Sequence, residues 1–310
     1  MRVLVLGGGG FIGRHVVAAL MARGHEAIVG TRDPGRAARR LPPEVRGCER
    51  RPARFERLTA PGSWDVLLRG IEVVVNCVGI LRERGRETYE RVHRDAPGAL
   101  ARDCARLGVR RLIHVSALGL RPEASSRFLR SKLHGEHAIK ASGLDWSIVR
   151  PSLLDGEGGF GARWMRRVAR WPVHCVPAEA RGRIAALDVG DLGVAIAALC
   201  GMRGRSDPAE VELGGLSPRT MAGQLAAMRR AAGLAPALRV PVPPLLARLA
   251  SHVCDLLHFS PFSFGHLELL RRDNLPRVNR LPYLLQRAPK AIGLDESRSA
   301  GRVPVVAAGH

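Results

Sequence analysis

Hydrophobic positions in the first part of the chain fall into short aliphatic runs separated by segments with helical spacing. Arg2–Leu6 and 26–30 are the first two runs, and between them apolar residues recur every three or four positions across 11–22. Gly24 follows this segment, where a glycine commonly ends a helix. The pattern predicts a strand–helix–strand unit at the start of the chain.

The same alternation continues to about residue 154. It predicts strands at 71–77, Arg111–Val115 and 146–149, and helices at 88–107 and 127–142. Strands separated by helix-length segments favour parallel pairing with right-handed crossovers. We therefore expect an α/β fold, a Rossmann-type doubly wound parallel sheet over residues 1–155. Residues 156–310 alternate less regularly and are predicted to form a smaller, mostly helical C-terminal lobe, closely associated with the first.

Three glycines separate the first predicted strand from the first helix. Gly7, Gly10 and Gly13 form a G-x-x-G-x-x-G pattern. Such glycines permit a sharp turn, a close approach of the backbone to a pyrophosphate, and tight helix–strand packing. The helix then points its first amides at the phosphates. The pattern predicts a dinucleotide site whose phosphate cradle consists of Gly7, Gly10, Phe11, Ile12 and Gly13.

The end of the second strand bears on the choice of cofactor. An NAD site usually has Asp or Glu there to accept from the ribose 2′-hydroxyl. This chain has Thr31 and Arg32, and its first acidic residue in the loop is Asp33. A guanidinium at Arg32, assisted by Arg36, suits a 2′-phosphate because its planar fork donates two parallel hydrogen bonds. We favour NADP(H); NAD(H) is the alternative, with Arg32 as a solvated loop residue.

Several motifs resemble the short-chain dehydrogenase/reductase superfamily, in its extended and atypical branches. They are GGGGFIG (7–13), VVNCVG (74–79), LIHVSALG (112–119), FLRSK (128–132) and IVRPS (148–152). RSKLHGE (130–136), DVGDLG (188–193) and especially LELLRRDN (267–274) resemble the atypical subgroup that contains the nucleotide-binding accessory subunit of respiratory complex I and its bacterial relatives. The last motif is more specific than the glycines, which Rossmann proteins share in general.

The resemblance implies a catalytic set that is incomplete here. Reductases of the superfamily use a Tyr-x-x-x-Lys pair with a Ser or Thr. Lys132 matches the lysine, but Phe128 stands at the tyrosine position, and a phenyl ring has no proton to transfer. The serine position falls on Ser116 or on Ala117. Arg57 stands where relatives often place an acidic residue near the adenine.

Further cofactor contacts are implied at the ends of the later strands. The resemblance, together with the predicted sheet edge, assigns dinucleotide contacts to Asn76, Cys77, Val78, Gly79, Val115, Ser116, Lys132, Arg150 and Pro151. Arg150 and Pro151 are expected to border the nicotinamide. Cys77 is interpreted as a packing residue and not as a reactive thiol.

Three functional hypotheses follow. The first is an NADP(H)-binding protein with a structural, assembly or redox-sensing role, in the setting of respiratory complex I or quinone metabolism. The second is an active NADP-dependent reductase, dehydrogenase or epimerase that uses Ser116, a histidine or water as the acid. The third is a peripheral membrane-binding module, because 243–259 places six apolar residues on one helical face that could contact lipid or a quinone tail. For that face we favour packing in the core of the second lobe.

Composition constrains partners only loosely. The net charge is +21, from 49 basic and 28 acidic residues, and only three of the basic residues are lysines. We attribute the arginine excess to coding bias, with attraction to nucleic acid, anionic lipid or an acidic partner as the alternative; no recognised nucleic-acid motif is present. The six cysteines form no CxxC pair, so neither a metal site nor a disulfide framework is expected. No run of about 18 apolar residues occurs, and we expect a cytoplasmic protein, with peripheral attachment to the inner face of the membrane as the alternative.

Overall fold

Parallel strands form the centre of the molecule. The computed structural model describes residues 1–202, 209–257 and 262–293. Within these ranges the strands are β1 (Arg2–Leu6), β2 (Glu26–Thr31), β3 (Arg50–Pro52), β4 (Val73–Asn76), β5 (Arg111–Val115), β6 (Trp146–Pro151), β7 (Leu154–Asp155), β8 (Val173–Pro177), β9 (Arg183–Ile184), β10 (Leu187–Asp188), β11 (Glu210–Leu213), β12 (Arg219–Thr220) and β13 (Leu238–Val242).

Helices cover both faces of the sheet and build the second lobe. They are α1 (Gly13–Ala22), α2 (Pro34–Arg40), α3 (Asp65–Leu68), α4 (Ala96–Arg106), α5 (Arg127–Lys140), α6 (Phe160–Ala169), α7 (Val189–Gly201), α8 (Met221–Ala231), α9 (Pro244–Leu257), α10 (Phe264–Leu270) and α11 (Leu281–Leu285). Short 3₁₀ turns lie at Pro43–Val45 and Phe55–Arg57, and a π-helical segment, Glu90–Asp95, leads directly into α4.

The strand order of the main sheet is β3–β2–β1–β4–β5–β6–β11, with parallel pairing throughout. The order reverses between β1 and β4. In open α/β sheets such a switch point opens a crevice outside the carboxyl ends of the strands, where ligands bind. The predicted Rossmann-type doubly wound sheet is confirmed.

Both faces of β1 are buried, which explains its continuous aliphatic sequence. Val3 and Val5 contribute to one core layer, shared with α1 and α7, while Leu4 and Leu6 contribute to the other, shared with α4. All four side chains are fully buried. The strand therefore places Gly7, the next residue, at the carboxyl edge of the sheet between two packed layers.

Part of the region beyond residue 155 belongs to the main layers. β11 pairs with β6, with Val211 opposite Val149. On the opposite face of the sheet from α4, α7 packs so tightly on α1 that a side chain at Gly193 would lie 2.7 Å from the His15 carbonyl oxygen. Helix α7 and strand β11 follow residue 155 in the chain, yet they pack on the first unit and extend its sheet. The division of the chain at residue 155 therefore stays a prediction. The rest of the second lobe combines helices with small two-stranded sheets.

Helix α9 differs from expectation. Its six apolar side chains on one face are solvent-exposed, by 78% at Leu245 and 76% at Leu256, together with Leu246, Leu249, Val253 and Leu257. The interpretation of this face as core packing is wrong. The buried face carries instead the small residues Ala247, Ser251 and Cys254, which allow close packing on α10. Residues 258–259 of the predicted segment lie outside the described residues. None of the described helices combines the length and the apolarity needed to cross a bilayer.

Candidate functional site: a dinucleotide cleft and an adjoining apolar cavity

The glycine loop after β1 is folded so tightly that side chains would not fit. Gly7 has a φ of +73°, in the left-handed region that favours glycine. A Cβ at Gly13 would lie 2.3 Å from the Gly7 carbonyl oxygen, and a Cβ at Gly9 would lie 2.7 Å from Cβ of Ala37 on α2. The loop is thus wedged between α1 and α2, and its backbone is the surface that a ligand meets.

Amide groups of this loop are available to an anion. Gly7 and Gly10 donate to the carbonyls of Gly30 and Gly7. Within the described chain, the amides of Gly9, Phe11 and Ile12 donate to no carbonyl. Helix α1 begins at Gly13, two residues later than predicted, so these amides precede its positive N-terminal end. Such an arrangement suits a pyrophosphate.

A cleft of about 680 Å³ opens above the loop. It brings together most of the predicted cofactor contacts, namely Gly7, Gly10, Phe11, Ile12, Thr31, Arg32, Arg36, Cys77, Val78 and Gly79. Gly13 does not line the cleft, but it packs closely against Gly7 and so supports the loop that does. The size is suitable for a drug-sized or cofactor-sized ligand.

Arginines surround the end of the cleft nearest β2. Arg32 forms an ion pair with Glu87, and both line the cleft. Asp33 is occupied, since its Oδ1 accepts from the Arg36 amide at 2.9 Å and caps α2.

Two further arginines, Arg40 and Arg54, also line this end, and sequence reasoning missed both. Arg40 follows Arg36 by four residues, so the two share a helix face, which is a signal the sequence offered. Arg54 follows β3, a short strand with no clear pattern. Among the residues described, no carboxylate pairs with Arg36, Arg40 or Arg54.

An acidic side chain lies in the same cleft. Glu56 lines it, and its Oε2 is buried without a hydrogen-bond partner in the described structure. The neighbouring Arg57 is exposed. An acidic side chain thus precedes Arg57 by one residue in the wall of the cleft. A buried carboxylate oxygen requires a donor, and the exocyclic amine of an adenine is one.

Asn76 shapes the loop after β4 and is fully buried. Its Oδ1 accepts from the Val78 amide at 3.0 Å, and its Nδ2 donates to Nδ1 of His114 at 3.0 Å. Burial lowers the pKa of His114 to about 3, so this imidazole is neutral at physiological pH. Val115, at the end of β5, is likewise buried. These residues position the loop 76–79 without lining the cleft themselves.

Cys77 lines the cleft from the end of β4. Burial raises the pKa of its thiol, which therefore stays protonated and unreactive at neutral pH. In the described ranges, no cluster of three or more His, Cys, Asp or Glu side chains could hold a metal ion.

Lys132 lies behind Gly79, at the other end of the cleft, and does not itself line the cleft. A side chain at Gly79 would lie 3.6 Å from Lys132 Nζ and 3.8 Å from His93 Nε2. Burial lowers the pKa of Lys132 to about 8, against a smaller opposing effect of Glu136. His93 accepts from the Ile80 amide at Nε2 (3.1 Å), so its Nδ1 carries the proton and lies 2.9 Å from Ser131 Oγ. Lys132 thus supplies positive charge near this end of the cleft.

Phe128 is surrounded by aromatic rings. Its ring packs edge-on to Tyr89 and His93, with centroids 5.8 Å and 5.7 Å away, and stacks on His266 at 6.1 Å. Tyr89 does not replace the missing tyrosine as an acid: its hydroxyl donates to the Leu81 carbonyl at 2.8 Å, and burial raises its pKa to about 12.

A second cavity, of about 310 Å³, adjoins the first. Ile12 lines both, while Ser116, Ala117, Phe128 and Pro151 line the second. Most of its remaining wall is apolar and comes from the second lobe, including Trp164, Met165, Met221, Leu269 and Leu270. The cavity therefore begins where the nicotinamide end of a dinucleotide is expected and extends into the second lobe.

Arg150 is not brought to either cavity. Its guanidinium pairs with the fully buried Glu136, with Nε 3.0 Å from Oε1, and with Glu210 on β11. The hydrogen bonds that Arg150 donates to Glu136 raise the pKa of Arg150. The side chain thus links α5, β6 and β11.

Comparison with known proteins agrees with this geometry. A profile described as NAD(P)H-binding matches residues 7–192. The chain belongs to this NAD(P)H-binding family. The family match thus supports a nicotinamide dinucleotide as a ligand of this chain, and the predicted resemblance to the atypical short-chain dehydrogenases/reductases is confirmed.

Relatives of this NAD(P)H-binding protein include a reductase and a subunit of an NADH dehydrogenase. A ceramide reductase of Caulobacter vibrioides is 32% identical over 200 residues, which are 64% of this chain and 60% of that protein. Subunit 9 of the NADH dehydrogenase [ubiquinone] 1 alpha subcomplex of Dictyostelium discoideum is 28% identical over 169 residues, 54% of this chain and 47% of that protein. The chain thus aligns with only about half to three fifths of these relatives.

The fold extends further than the sequence likeness. An NADPH-dependent quinone oxidoreductase of Escherichia coli, solved with NADPH, superimposes with a TM-score of 0.71 over 94% of this chain and 96% of that one, at 18% identity. At this identity the likeness shows the fold alone.

Proposed function

We propose that the chain binds NADP(H) in preference to NAD(H). In this proposal the pyrophosphate lies on the amides of Gly9, Phe11 and Ile12, and Lys132 holds the nicotinamide ribose. The observation that carries the preference is the group of arginines at the adenosine end, Arg36 and Arg40 on α2 and Arg54 after β3.

Electrostatics favours a phosphate at this position. The three guanidiniums line one cleft without carboxylate partners among the described residues, so they repel one another. A 2′-phosphate relieves that repulsion and accepts bidentate hydrogen bonds. Each hydrogen bond to a charged group contributes about 1.5–3 kcal/mol. A ribose hydroxyl offers no such gain, because it is neutral.

We further propose that the bound dinucleotide has a structural, assembly or redox-sensing role. The support is a phosphate cradle retained beside a tyrosine position that holds Phe128. The likeness to a complex I subunit favours a respiratory-chain or quinone-linked setting. The residues here would bind and orient the dinucleotide, with the Phe128 ring packed beside Lys132.

Titration with NADPH and NADH tests the preference. We expect the wild-type protein to bind NADPH at least tenfold more tightly, and Arg40→Ala to weaken NADPH binding about tenfold, for the loss of one charged hydrogen bond, while leaving NADH binding unchanged. Arg39→Ala is the matched control, since Arg39 is exposed on the same helix and does not line the cleft. Tighter binding of NADH by the wild-type protein would contradict the preference.

Mass spectrometry of small molecules released from the purified protein tests the role. A structural or sensing ligand is expected to co-purify at close to one equivalent. Recovery of the protein without any dinucleotide, together with steady turnover of NADPH, would overturn the structural role and favour an enzyme.

A second candidate function is NADPH-dependent reduction of a carbonyl compound. The adjoining cavity favours it, because a ligand there would lie next to the nicotinamide end, and so does the likeness to a ceramide reductase. NADPH would supply the hydride when bound. Ser116, which lines the cavity, would donate a hydrogen bond to the carbonyl oxygen, and water would supply the proton that completes the alcohol. Detection of the alcohol product, absent with Ser116→Ala, distinguishes this function from the first.

A further inference from the structure

The second cavity is built for an uncharged ligand. Its lining contains no Lys, Arg, Asp or Glu among the described residues. Its one histidine, His266, is neutral at physiological pH because burial lowers its pKa to about 4. A diphosphate or a carboxylate would be buried there without a counter-charge, at a large cost in free energy. The wall thus excludes sugar nucleotides.

Two polar residues nevertheless contribute to the wall of this apolar space. Ser116 is 6% exposed and Asn274 is 8% exposed, and both line the cavity. Neither Oγ of Ser116 nor Oδ1 of Asn274 has a hydrogen-bond partner in the described parts of the chain. Buried polar atoms are normally paired. A ligand with a small neutral polar head, such as a carbonyl with a neighbouring hydroxyl or amide, would satisfy both.

The LELLRRDN segment forms the wall that carries Asn274. Glu268 fixes the segment to α5, because its carboxylate accepts from the Ser125 and Ser126 amides at 2.8 Å and 2.9 Å. Leu269 and Leu270 then line the cavity. The most distinctive motif of the sequence thus builds the apolar cavity and not the dinucleotide cleft.

An exposed apolar surface adjoins the cavity on its outer side. Helix α10 lines the cavity and packs on α9, where His252 stacks on Phe264 at 5.0 Å and Asp255 accepts from the Phe264 amide at 3.0 Å. The outer face of α9 carries the six exposed apolar residues defined above. It continues into β13 and its partner strand β8, where Leu238, opposite Val173, is 66% exposed.

The edges of this surface are basic. Arg248 on α9 and Arg239 on β13 are exposed, and the whole chain has a charge of +21. An apolar helical face with cationic edges is the arrangement by which helices lie in the interface of an anionic bilayer.

We infer that the second cavity binds the head of an uncharged long-chain carbonyl lipid, which enters from an anionic bilayer docked on the outer face of α9. Its carbonyl head lies at Ser116 and Asn274, and its hydrocarbon chain follows the apolar wall toward α10. Lipoquinones and long-chain keto or amide lipids share this chemistry. The inference rests on the proposed function only for the position of the nicotinamide beside the head.

Lipid binding is tested without dinucleotide, by energy transfer from tryptophan to a pyrene-labelled long-chain methyl ketone. Trp164 lines the cavity and serves as donor. We expect saturable binding, displaced by unlabelled ketone or by decylubiquinone, and not by UDP-glucuronic acid. Displacement by ketone only identifies a keto lipid, and displacement by quinone only identifies a lipoquinone. Absence of saturable transfer, or displacement by UDP-glucuronic acid, overturns the inference.

Leu269→Glu places a charge in the cavity and is expected to weaken ketone binding at least tenfold. NADPH binding by the same variant reports folding and should be unchanged, because Leu269 does not line the dinucleotide cleft. If NADPH fails to bind the wild-type protein while the ketone binds, the proposed function fails alone. If NADPH binds and the ketone does not, the inference fails alone.

Flotation with liposomes tests the route of entry. The protein should float with vesicles that contain phosphatidylglycerol, and the double variant Leu249→Glu/Leu256→Glu should remain at the bottom while it still binds NADPH. Val66→Glu is the control, since Val66 is 69% exposed on α3, far along the chain from α9. Failure of the wild-type protein to float at moderate salt, or equal flotation of the double variant, overturns docking on α9.

Discussion

Lys132 Nζ lies 5.8 Å from the centre of the Phe128 ring, one turn earlier on α5. The spacing of the Tyr-x-x-x-Lys pair is therefore kept in three dimensions, while the hydroxyl that would lie near the ammonium is absent. The ring lines the second cavity and packs against His93 and His266. The chain thus keeps the lysine of the pair and lacks the hydroxyl that would move a proton.

Restoring that hydroxyl is the most direct test of this relationship. Phe128→Tyr should raise NADPH-dependent reduction of a long-chain ketone by about 10²-fold, the lower range for a positioned acid. The nearby ammonium of Lys132 would lower the pKa of the new phenol. The measurement is alcohol formation at saturating NADPH.

Phe128→Leu is the control for this variant, because it alters the packing without adding a proton donor. It should leave the rate at the wild-type level. If Phe128→Tyr binds NADPH normally and its rate also stays at that level, the missing hydroxyl is not what limits turnover.

The fold was largely predictable because its signals are local. The aliphatic runs of β1 and β5 and the glycines after β1 specify buried strands and a tight turn with few neighbouring residues. β3 and β11 were not predicted. β3 is three residues long and polar, and β11 is a strand only because β6 offers it an edge. Such pairing depends on long-range contacts that no local pattern encodes.

The site was predictable where backbone forms it and less so where separate elements meet. The cradle follows from glycine spacing alone. Arg150 has the expected position on β6, but its ion pair with Glu136 turns the guanidinium toward α5 and β11. Glu56 and Asn274 were missed because their importance comes from burial without a partner, which only the packed structure reveals.

The lowered pKa of Lys132 predicts a pH dependence for NADPH binding. The ammonium has a pKa of about 8 in the folded chain, because burial disfavours the charge. A bound anionic dinucleotide favours the charged form and so raises this pKa. Affinity should therefore be constant below about pH 7 and fall above pH 8, by up to about tenfold per pH unit between the two pKa values. Titrations from pH 6 to 10 measure it.

Lys132→Met separates this effect from other titrations. The variant should bind NADPH more weakly at pH 7, with an affinity that no longer falls between pH 8 and 9. For the unliganded wild-type protein the same pKa predicts that stability rises with pH between about 8 and the ordinary lysine value, because the unfolded chain binds more protons there. An identical pH profile in the wild-type protein and in Lys132→Met would contradict the assignment.

The glycine loop predicts a sharp contrast between two alanine substitutions. A Cβ at Gly13 would lie 2.3 Å from the Gly7 carbonyl oxygen, so Gly13→Ala must displace the cradle. We expect at least tenfold weaker NADPH binding, measured by calorimetry. Gly47→Ala is the control, because nothing lies within 4 Å of a Cβ there. Equal affinities for the two variants would show that the loop tolerates the displacement.

The ion pair of Arg150 predicts a structural effect and not a catalytic one. Glu136 is fully buried and Arg150 Nε lies 3.0 Å from its Oε1. Glu136→Gln leaves the guanidinium without its buried counter-charge, and removal of one partner of such a pair typically costs about 3–5 kcal/mol. Urea denaturation should show a loss of that size. The matched control is Glu90→Gln, whose exposed pair with Arg94 (3.0 Å) lies one helical turn apart and should contribute about 0.5 kcal/mol or less.

Since Arg150 lines neither cavity, Arg150→Met should reduce stability while NADPH affinity, measured well below the urea transition, stays unchanged. A variant that keeps wild-type stability but loses NADPH affinity would instead return Arg150 to the nicotinamide end of the cleft.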